Sequence, residues 1–350
     1  MTVRRDMKAV VVRGPFQAQM ETVEVPKVTP DGVLIRVKAV GICRTDSEIY
    51  TGRYVGAALP LVPGHEVSGL VVEVGKLVKN IRSGERVVAE CTMGCGECPS
   101  CVAGNYNLCE SLRPEWEKAE LLGAFAEYIA TSSRSLHRIP EEITFEEGAL
   151  VEPASVSLRA VKRARISAGE KVAVLGSGTI GLLALQAAKT VGACFIAVTG
   201  TERSKYRLEM AKRLGADQVI NIDTDDLVRS IMASTDQRGV DAAVISTAGS
   251  PNSLAEAMDM VRPGGRIVIV GLTGGLESQI NAEKIVFKDL QVSGSFSSPN
   301  VWEEAIELVR SKRIKVKPLI THTMPLKDFE KAFKLLEGRK KSVIKVVLKP

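Results

Sequence analysis

The rhythm of hydrophobic and polar positions changes along this chain. From Met7 to Val40 it is that of strands: Met7-Lys8-Ala9-Val10-Val11-Val12, then Val33-Leu34-Ile35-Arg36-Val37-Lys38-Ala39-Val40. Gly14-Pro15, Pro26 and Pro30-Asp31-Gly32 punctuate these runs as turns. Val67 to Val74 and Glu85 to Ala89 add further strands, with short helices expected around Thr45–Thr51 and Ser100–Cys109. Around Glu146–Arg163 the spacing becomes helical, beginning near Thr144 with Glu146 and Glu147 in the first turn. From Lys171 onward, short apolar strands alternate with helical stretches. The strands are Lys171–Leu175, Phe195–Thr199, Gln218–Ile222, Asp241–Ser246, Arg266–Val270 and Leu290–Ser295, six in all. The intervening helices include Leu182–Val191, Arg203–Leu214 and Ser253–Val261. Six strands at this spacing predict a complete doubly wound parallel sheet. The tail carries helices at Val301–Ser311 and around Leu326–Leu336, then a strand Ser342–Leu348 expected to return to the first domain. The fold class is therefore α/β: a β-rich domain over residues 1–154, a doubly wound domain over 155–296, and a return over 297–350.

Composition supports this division. A chain of 350 residues is too long for one ordinary core. Hydrophobic residues at 45% and charged residues at 25% are those of a globular protein. The net charge of +6 is scattered, with only the short clusters Arg310-Ser311-Lys312-Arg313 and Arg339-Lys340-Lys341. Such clusters are expected as solvated helix ends, not a nucleic-acid surface. Met1 to Asp6 is mostly polar and no apolar run is long enough to span a bilayer, so no membrane partner and a cytoplasmic location are expected. In that compartment seven cysteines favour metal or catalysis over disulfides.

Two sets of residues carry the chemistry of the first domain. Gly64-His65-Glu66 places one of only three histidines beside a carboxylate, followed by glycines in an apolar run. Cys43 lies upstream in Gly41-Ile42-Cys43-Arg44-Thr45-Asp46, and Glu152 far downstream in Leu150-Val151-Glu152-Pro153. One thiolate, one imidazole and one or two carboxylates make a catalytic zinc shell; the alternative is a buried Cys, a satisfied core His and a surface Glu. The second set is Cys95, Cys98, Cys101 and Cys109. Three cysteines at intervals of three converge on one point and a fourth returns on the next loop, closing a tetrahedral structural zinc site without an open position. A redox pair or free thiols are the alternatives. Cys91 and Cys194 fall outside both sets and are expected to be ordinary buried thiols.

The second domain opens with Lys171-Val172-Ala173-Val174-Leu175 running into Gly176-Ser177-Gly178-Thr179-Ile180-Gly181 and a helix. With a strand before it and a helix after it, this GxGxxG is a dinucleotide fingerprint. Gly176 permits the tight turn, Gly178 lets the backbone approach a pyrophosphate, Gly181 packs helix on strand, and the helix N-terminus offers free N–H groups. The second strand ends in Val198-Thr199-Gly200, with Gly where an acid selecting NAD is expected. Thr201, Glu202 and Arg203 follow. Either Glu202 takes the acid's place, giving NAD, or Gly200 and Thr201 leave room for a 2′-phosphate on Arg203, giving NADP. The latter is the preferred reading.

Together these residues resemble the zinc-dependent medium-chain dehydrogenase/reductase family over essentially the whole chain. Gly64-His65-Glu66-x2-Gly69-x5-Gly75-x2-Val78, the cysteine spacing and the glycine turn are its motifs. Val151-Glu152-Pro153 and Cys43-x-Thr45-Asp46 are similar to its polyol (sorbitol), threonine and sugar dehydrogenase branch. The resemblance implies a GroES-like catalytic domain followed by a Rossmann domain, two zinc ions per chain and a nicotinamide cofactor. It implies that Cys43, His65 and Glu152 hold or flank the catalytic zinc, with Glu66 binding directly or in exchange with water. Asp46 would orient His65, and Thr45 would pass the substrate proton outwards. Thr179, Ile180, Arg207, Val270-Gly271-Leu272 and Ser295-Phe296-Ser297 would line the cofactor. Many relatives carry His where this chain has Glu48, which is similar to archaeal-type glucose dehydrogenases. Sorbitol dehydrogenases carry Arg-Tyr where it has Ser297-Ser298, and a pocket Tyr where it has Ile49.

The implied reaction is hydride transfer between a secondary alcohol (a polyol, sugar or related hydroxy compound) and NAD(P), with zinc as Lewis acid. The rival readings are a zinc-free quinone or enoyl reductase of the same fold, and a non-catalytic cofactor-binding relative. Relatives pair the last strand of the cofactor sheet across a two-fold axis, so a homodimer or homotetramer through Leu290–Ser295 is implied.

Overall fold

The computed structural model describes residues 5–54, 58–112, 123–338 and 342–350. The cluster Arg339-Lys340-Lys341 and the first four residues of the polar N-terminus lie outside them. The chain divides into two compact units. One comprises residues 1–152, 302–310 and 316–350; the other comprises 153–301 and 311–315.

The first unit is built on a seven-stranded sheet beside a two-stranded hairpin. The hairpin joins β1 (Asp6–Gly14) to β2 (Gln17–Glu24). The large sheet is organised around β3 (Gly32–Gly41), which pairs antiparallel with β4 (Glu66–Val74), β6 (Tyr128–Ser132) and the C-terminal β15 (Lys345–Lys349). A strand paired on both edges and covered on both faces is apolar throughout. Accordingly Val33, Leu34, Ile35, Val37, Ala39 and Val40 are all buried. β5 (Arg86–Ala89) continues the sheet beyond β4, and β7 (Leu136–Arg138) follows it. β14 (Ile320–Pro325) lies parallel to β15. Its polar Thr321-His322-Thr323 core explains why the hydrophobic pattern gives no sign of it. Phe125, Phe329 and Phe333 close the core of this unit, and Tyr50 stacks on Phe333 at 4.6 Å.

The helices of this unit are short. α1 spans Arg44–Tyr50, α2 spans Pro99–Val102 and α3 spans Phe145–Ala149. The helical stretch expected over Glu146–Arg163 is two helices, because the chain breaks at Leu150 before α4 (Val151–Arg163) begins. Thr144 and Glu147 cap α3 reciprocally, each side chain accepting the other's backbone N–H.

The second unit is the doubly wound sheet. Its strands are β8 (Lys171–Leu175), β9 (Phe195–Gly200), β10 (Gln218–Asn221), β11 (Val240–Ile245), β12 (Val261–Ile269) and β13 (Gln291–Gly294). They lie in the order β10-β9-β8-β11-β12-β13, every pair parallel. This is the strand order of dinucleotide-binding sheets, with the reversal between β8 and β11. Between strands lie α5 (Thr179–Thr190), α6 (Lys205–Arg213), α7 (Leu227–Ser234), α8 (Ser253–Met260) and α9 (Glu283–Phe287). α5 is buried on nearly every side from Gly181 to Ala188, which is why its sequence is almost uniformly apolar. α10 (Trp302–Arg310) belongs to the first unit, and α11 (Phe329–Glu337) packs there through Phe329 and Phe333. Among the described residues no helix is long and apolar enough to cross a membrane.

Candidate metal centre and dinucleotide turn

Cys43 stands just before α1, where its backbone bends into the helix. Asp46, fully buried, accepts the Cys43 N–H at 2.8 Å through one oxygen and the Gly64 N–H at 3.0 Å through the other. One carboxylate thus ties the loop carrying Cys43 to the loop carrying His65. Gly64 has φ +100°, and a Cβ there would lie 2.5 Å from the Phe125 ring. Only glycine lets the chain turn His65 inwards at that point. Asp46 is expected to orient His65; the oxygen that accepts the Gly64 N–H also lies 3.6 Å from His65 Nδ1.

Donor atoms of Cys43, His65 and Glu66 all lie within 4.8 Å of one another. Glu152, in the first turn of α4, is not part of that group, although its charge is felt by it. Glu66 is also claimed by a residue that sequence reasoning missed. Lys345 Nζ lies 2.6 and 2.7 Å from the two Glu66 oxygens and donates to the Ile42 carbonyl at 3.0 Å. Both side chains are buried. The ammonium therefore fixes Glu66 and the backbone immediately before Cys43. Gly41 leaves the space for this arrangement, since a Cβ there would fall 2.1 Å from Glu66 Oε2. The single Lys among the apolar residues Val343-Ile344-Lys345-Val346-Val347-Leu348 was the available signal.

The electrostatics describe a site that attracts cations. Burial opposes a charge on His65, but Asp46 and Cys43 beside it outweigh burial and hold the imidazole well above its usual range. Burial pushes the Glu152 carboxyl up to about 7, with Glu66 and Glu90 adding to the push. Burial likewise raises the Cys91 thiol to about 11, helped by Glu152. A soft sulfur, an imidazole and carboxylates in a buried, proton-attracting cluster suit a zinc ion. His65 Nδ1 is buried without a hydrogen-bond partner among the described residues. Thr45 Oγ1 lies 3.8 Å from Cys43 Sγ. Glu48 is paired with Arg44 at 2.6 Å.

Cys95, Cys98, Cys101 and Cys109 bring their sulfurs within 4.8 Å of one another. Cys95 Sγ accepts the N–H groups of Glu97 and Cys98 at 3.4 and 3.3 Å, and Cys109 Sγ accepts that of Cys95 at 3.2 Å. These hydrogen bonds favour the thiolate on Cys95 and pull its pKa down. Without a cation the crowded partner Cys101 is raised to about 12, despite a backbone bond that favours its thiolate. Four converging sulfurs supported by backbone N–H groups fit a structural zinc. Of the two remaining cysteines, Cys91 is half-buried. Cys194 is exposed, contrary to the expectation of a buried thiol; it precedes β9 on a surface turn and donates to the Gly169 carbonyl at 2.9 Å.

In the second unit the glycine turn follows β8. Gly176 has φ +107°, and its N–H donates to Thr199 Oγ1 at 3.0 Å. A Cβ on Gly181 would fall 1.9 Å from the Gly176 carbonyl oxygen, so α5 starts hard against its own turn. A Cβ on Gly178 would meet nothing within 4 Å. Open space at the start of a 12-residue helix, with no side chain capping it, suits an anionic ligand. Thr179 and Ile180 begin that helix. Gly200 lies against Ser177, and Gly271 against the Thr247 carbonyl, so the ends of β8, β9, β11 and β12 converge here. Ser246 and Thr247, which the sequence reading passed over, form part of this rim; Ser246 Oγ bonds the carbonyls of Leu175 and Gly176. The N–H groups of Val270 and Gly271 both reach the Ile245 carbonyl, and Leu272 is exposed. Ser295 Oγ is buried without a partner among the described residues, next to the exposed Phe296 and to Ser297 at φ +56°. Beyond Gly200, Thr201 contacts Ser204. The Glu202 carboxylate accepts from Asn221 Nδ2 at 2.9 Å, and its N–H bonds Asp223. Arg203 is exposed and Arg207 half-buried on α6.

Residues 29–141 match the family described as alcohol dehydrogenase GroES-like domain, and residues 179–311 that described as zinc-binding dehydrogenase. A sorbitol dehydrogenase of Bacillus subtilis (strain 168) is 36% identical over 352 residues, covering 100% of this chain and 99% of its own. A putative zinc-binding dehydrogenase from Sinorhizobium meliloti 1021, bound to NADP, superposes with a TM-score of 0.89 at 30% identity, covering 99% of this chain and 100% of its own. An alcohol dehydrogenase structure from Escherichia coli CFT073, complexed with NADH, gives a TM-score of 0.91 at 29% identity, with 99% and 100% covered.

Proposed function

As the chain belongs to the zinc-type medium-chain alcohol dehydrogenase family, in its polyol branch, we propose that it transfers a hydride between a secondary alcohol and a nicotinamide cofactor. The substrate class is a polyol, sugar or related hydroxy compound. The observation that carries this reading is the converging donor set of half-buried Cys43 and buried His65 and Glu66, held together by Asp46 and Lys345.

Cys43, His65 and Glu152 would hold or flank the catalytic zinc, with Glu66 binding it directly or in exchange with water. A bound zinc supplies Lewis acidity, which lowers the pKa of a coordinated hydroxyl. Asp46 keeps the two donor loops in register through backbone N–H groups, so Cys43 and His65 are presented without rearrangement. Thr45, whose Oγ1 lies beside Cys43 Sγ, would pass the substrate hydroxyl proton outwards. Glu48, on the same helix as Thr45 and Asp46, forms an ion pair with Arg44. Lys345 balances the negative charge of Glu66 and leaves the metal a site of lower net charge. Cys95, Cys98, Cys101 and Cys109 hold a second, structural zinc, which makes two per chain.

Gly176, Gly178, Thr179, Ile180 and Gly181 would hold the cofactor, and Ser295, Phe296, Ser297, Val270, Gly271 and Leu272 would line its nicotinamide side. Gly200, Thr201, Arg203 and Arg207 favour NADP. The fixed Glu202 carboxylate supports a second reading, NAD, as an acceptor for a ribose hydroxyl. The relatives bound to NADP and NADH are compatible with either. β13 forms an edge of its sheet, which suits association as a homodimer or homotetramer, and a cytoplasmic enzyme is proposed.

The test is a panel of polyols, sugars and 2,3-diols, each with NAD and NADP in parallel, together with zinc analysis. Near two zinc per chain and oxidation of at least one secondary alcohol support the reading. A metal-free protein that reduces quinones or enoyl compounds would replace it with the zinc-free reductase.

A further inference from the structure

The four converging sulfurs of the first unit sit in a stretch that offers them no positive charge of its own. From Glu90 to Leu112 the sequence holds three carboxylates, Glu90, Glu97 and Glu110, and neither Lys nor Arg. A zinc ion held by four thiolates carries a net negative charge, so the filled cluster is stabilised by a cation beside it. The tertiary structure brings one from further along the chain. Arg134 follows β6, on a single helical turn, Ser133–Ser135. Its Nη2 donates to the Gly94 carbonyl at 3.3 Å, across 40 residues. Its Nη1 lies over Gly96, where a Cβ would fall 2.7 Å from it. Gly94 and Gly96 flank Cys95, so the guanidinium lies along the backbone that carries this sulfur.

The turn under the guanidinium controls more than one sulfur. The Cys95 N–H donates to Cys109 Sγ at 3.2 Å. Gly96, at φ +87°, donates its N–H to Cys101 Sγ. A shift of this turn therefore moves the Cys95 sulfur together with the N–H donors of two others. The opposite side of the turn has no slack: a Cβ on Gly94 would lie 2.3 Å from Cys101 Sγ and 2.9 Å from Tyr106 Cβ. The backbone beneath Arg134 is equally fixed. Ser133 and Ser135 are buried. The Arg134 N–H donates to Ser132 Oγ at 3.3 Å, and the Ser133 N–H to the Asp31 carbonyl at 3.1 Å. The Ser135 carbonyl accepts the Glu90 N–H at 2.8 Å, which ties the Arg134 turn to the strand that leads into the sulfur cluster.

We propose that Arg134 is a positioning residue for the structural zinc, an assignment that rests on the reading of Cys95, Cys98, Cys101 and Cys109 as a zinc site. Its charge offsets that of the four thiolates. Its contacts at Gly94 and Gly96 hold Cys95, and the N–H groups donated to Cys101 and Cys109, in the arrangement that the metal meets. Arg134 is not itself a ligand: it acts through the backbone of the turn and through its field. Partners of this kind, outside the ligand set, commonly set how tightly a metal is kept.

Zinc analysis of the full chain against graded EDTA tests the assignment. Cys101→Ser lacks the four-sulfur site, so the ion it is missing identifies the structural zinc. Arg134→Gln should hold that ion roughly ten- to a hundredfold more weakly than wild type, with the other ion unchanged. Arg134→Lys keeps the charge and should recover most of the loss. Arg134 is exposed, so neither variant disturbs the core, and circular dichroism matching wild type checks this. Equal retention in wild type and Arg134→Gln would overturn the proposal. So would an Arg134→Lys variant as weak as Arg134→Gln, or an equal loss of both ions. A wild type that holds no more zinc than Cys101→Ser has none on the four sulfurs. That result sinks the structural-zinc reading itself, whereas an unchanged Arg134→Gln beside a zinc-depleted Cys101→Ser sinks the role of Arg134 alone.

Discussion

Replacing Lys345 by Met leaves Glu66 buried with its counter-charge removed. The ammonium sits 2.6 and 2.7 Å from the two carboxylate oxygens, and the side chains are 5% and 2% exposed. At an effective dielectric of about 20, charges at that distance attract by about 6 kcal/mol. The desolvation of both ions offsets much of this, so the intact pair contributes little net stability. Losing one partner is different: the other charge stays buried, and the cost is about 3–5 kcal/mol. The Ile42 carbonyl also loses its donor. We expect Lys345→Met to destabilise the zinc-free protein by that amount in urea unfolding. Added zinc should reduce the loss, because a divalent ion beside Glu66 substitutes for the ammonium. Lys345→Arg should cost less, and the double variant Lys345→Met/Glu66→Leu should be more stable than Lys345→Met alone. The pH dependence has a definite sign. Burial opposes the Lys345 charge, but Glu66 and Cys43 outweigh it and raise its pKa. Its contribution is therefore complete below the ordinary lysine value of about 10.4 and is lost only as pH rises through the higher folded value. The deficit of Lys345→Met should stay constant near neutrality and shrink only in strong alkali. A cost below about 1 kcal/mol, or a double variant as unstable as the sum of its parts, would refute the reasoning.

Gly181→Ala should prevent folding of the second unit, since its Cβ would meet a carbonyl oxygen at 1.9 Å. Gly178→Ala, with open space at its Cβ, should melt within a few degrees of wild type but bind NADH or NADPH weakly in a fluorescence titration. Asp46→Asn loses an acceptor for one of two buried N–H groups. It should cost about 1–3 kcal/mol and lower zinc affinity, read by thermal melts and competition with a chelator. Cys101→Ser should lower the zinc content by one ion per chain and destabilise the first unit. In zinc-stripped protein, Glu152→Gln should stabilise at pH 8 and not at pH 4. Burial raises its carboxyl to about 7, so the penalty is absent below the ordinary carboxylate value and complete only above the folded one.

The sequence by itself determined the elements whose rule is local. β-branched runs and the GxGxxG between strand and helix specified the doubly wound unit, because a period of two, a period of 3.6 and a positive-φ turn are properties of neighbouring residues. Cysteines at intervals of three marked a four-sulfur cluster for the same reason. Cys43 and His65 were legible as donor types, and the family resemblance supplied their partnership. The break between α3 and α4 and the polar strand β14 were not legible, since neither leaves a hydrophobic signature.

What only the tertiary structure decided is which charges face each other. Lys345 and Glu66 are 279 residues apart and become a buried pair only when β15 pairs with β3 beside β4. Asp46 holds Gly64 across 18 residues, and Glu303 reaches His137 across 166. Coulomb forces and hydrogen bonds act through space, and their strength depends on burial that no local pattern encodes. The chain therefore announces its donor atoms in its motifs, while the surroundings that set their charge and position come from the sheets that bring distant strands together.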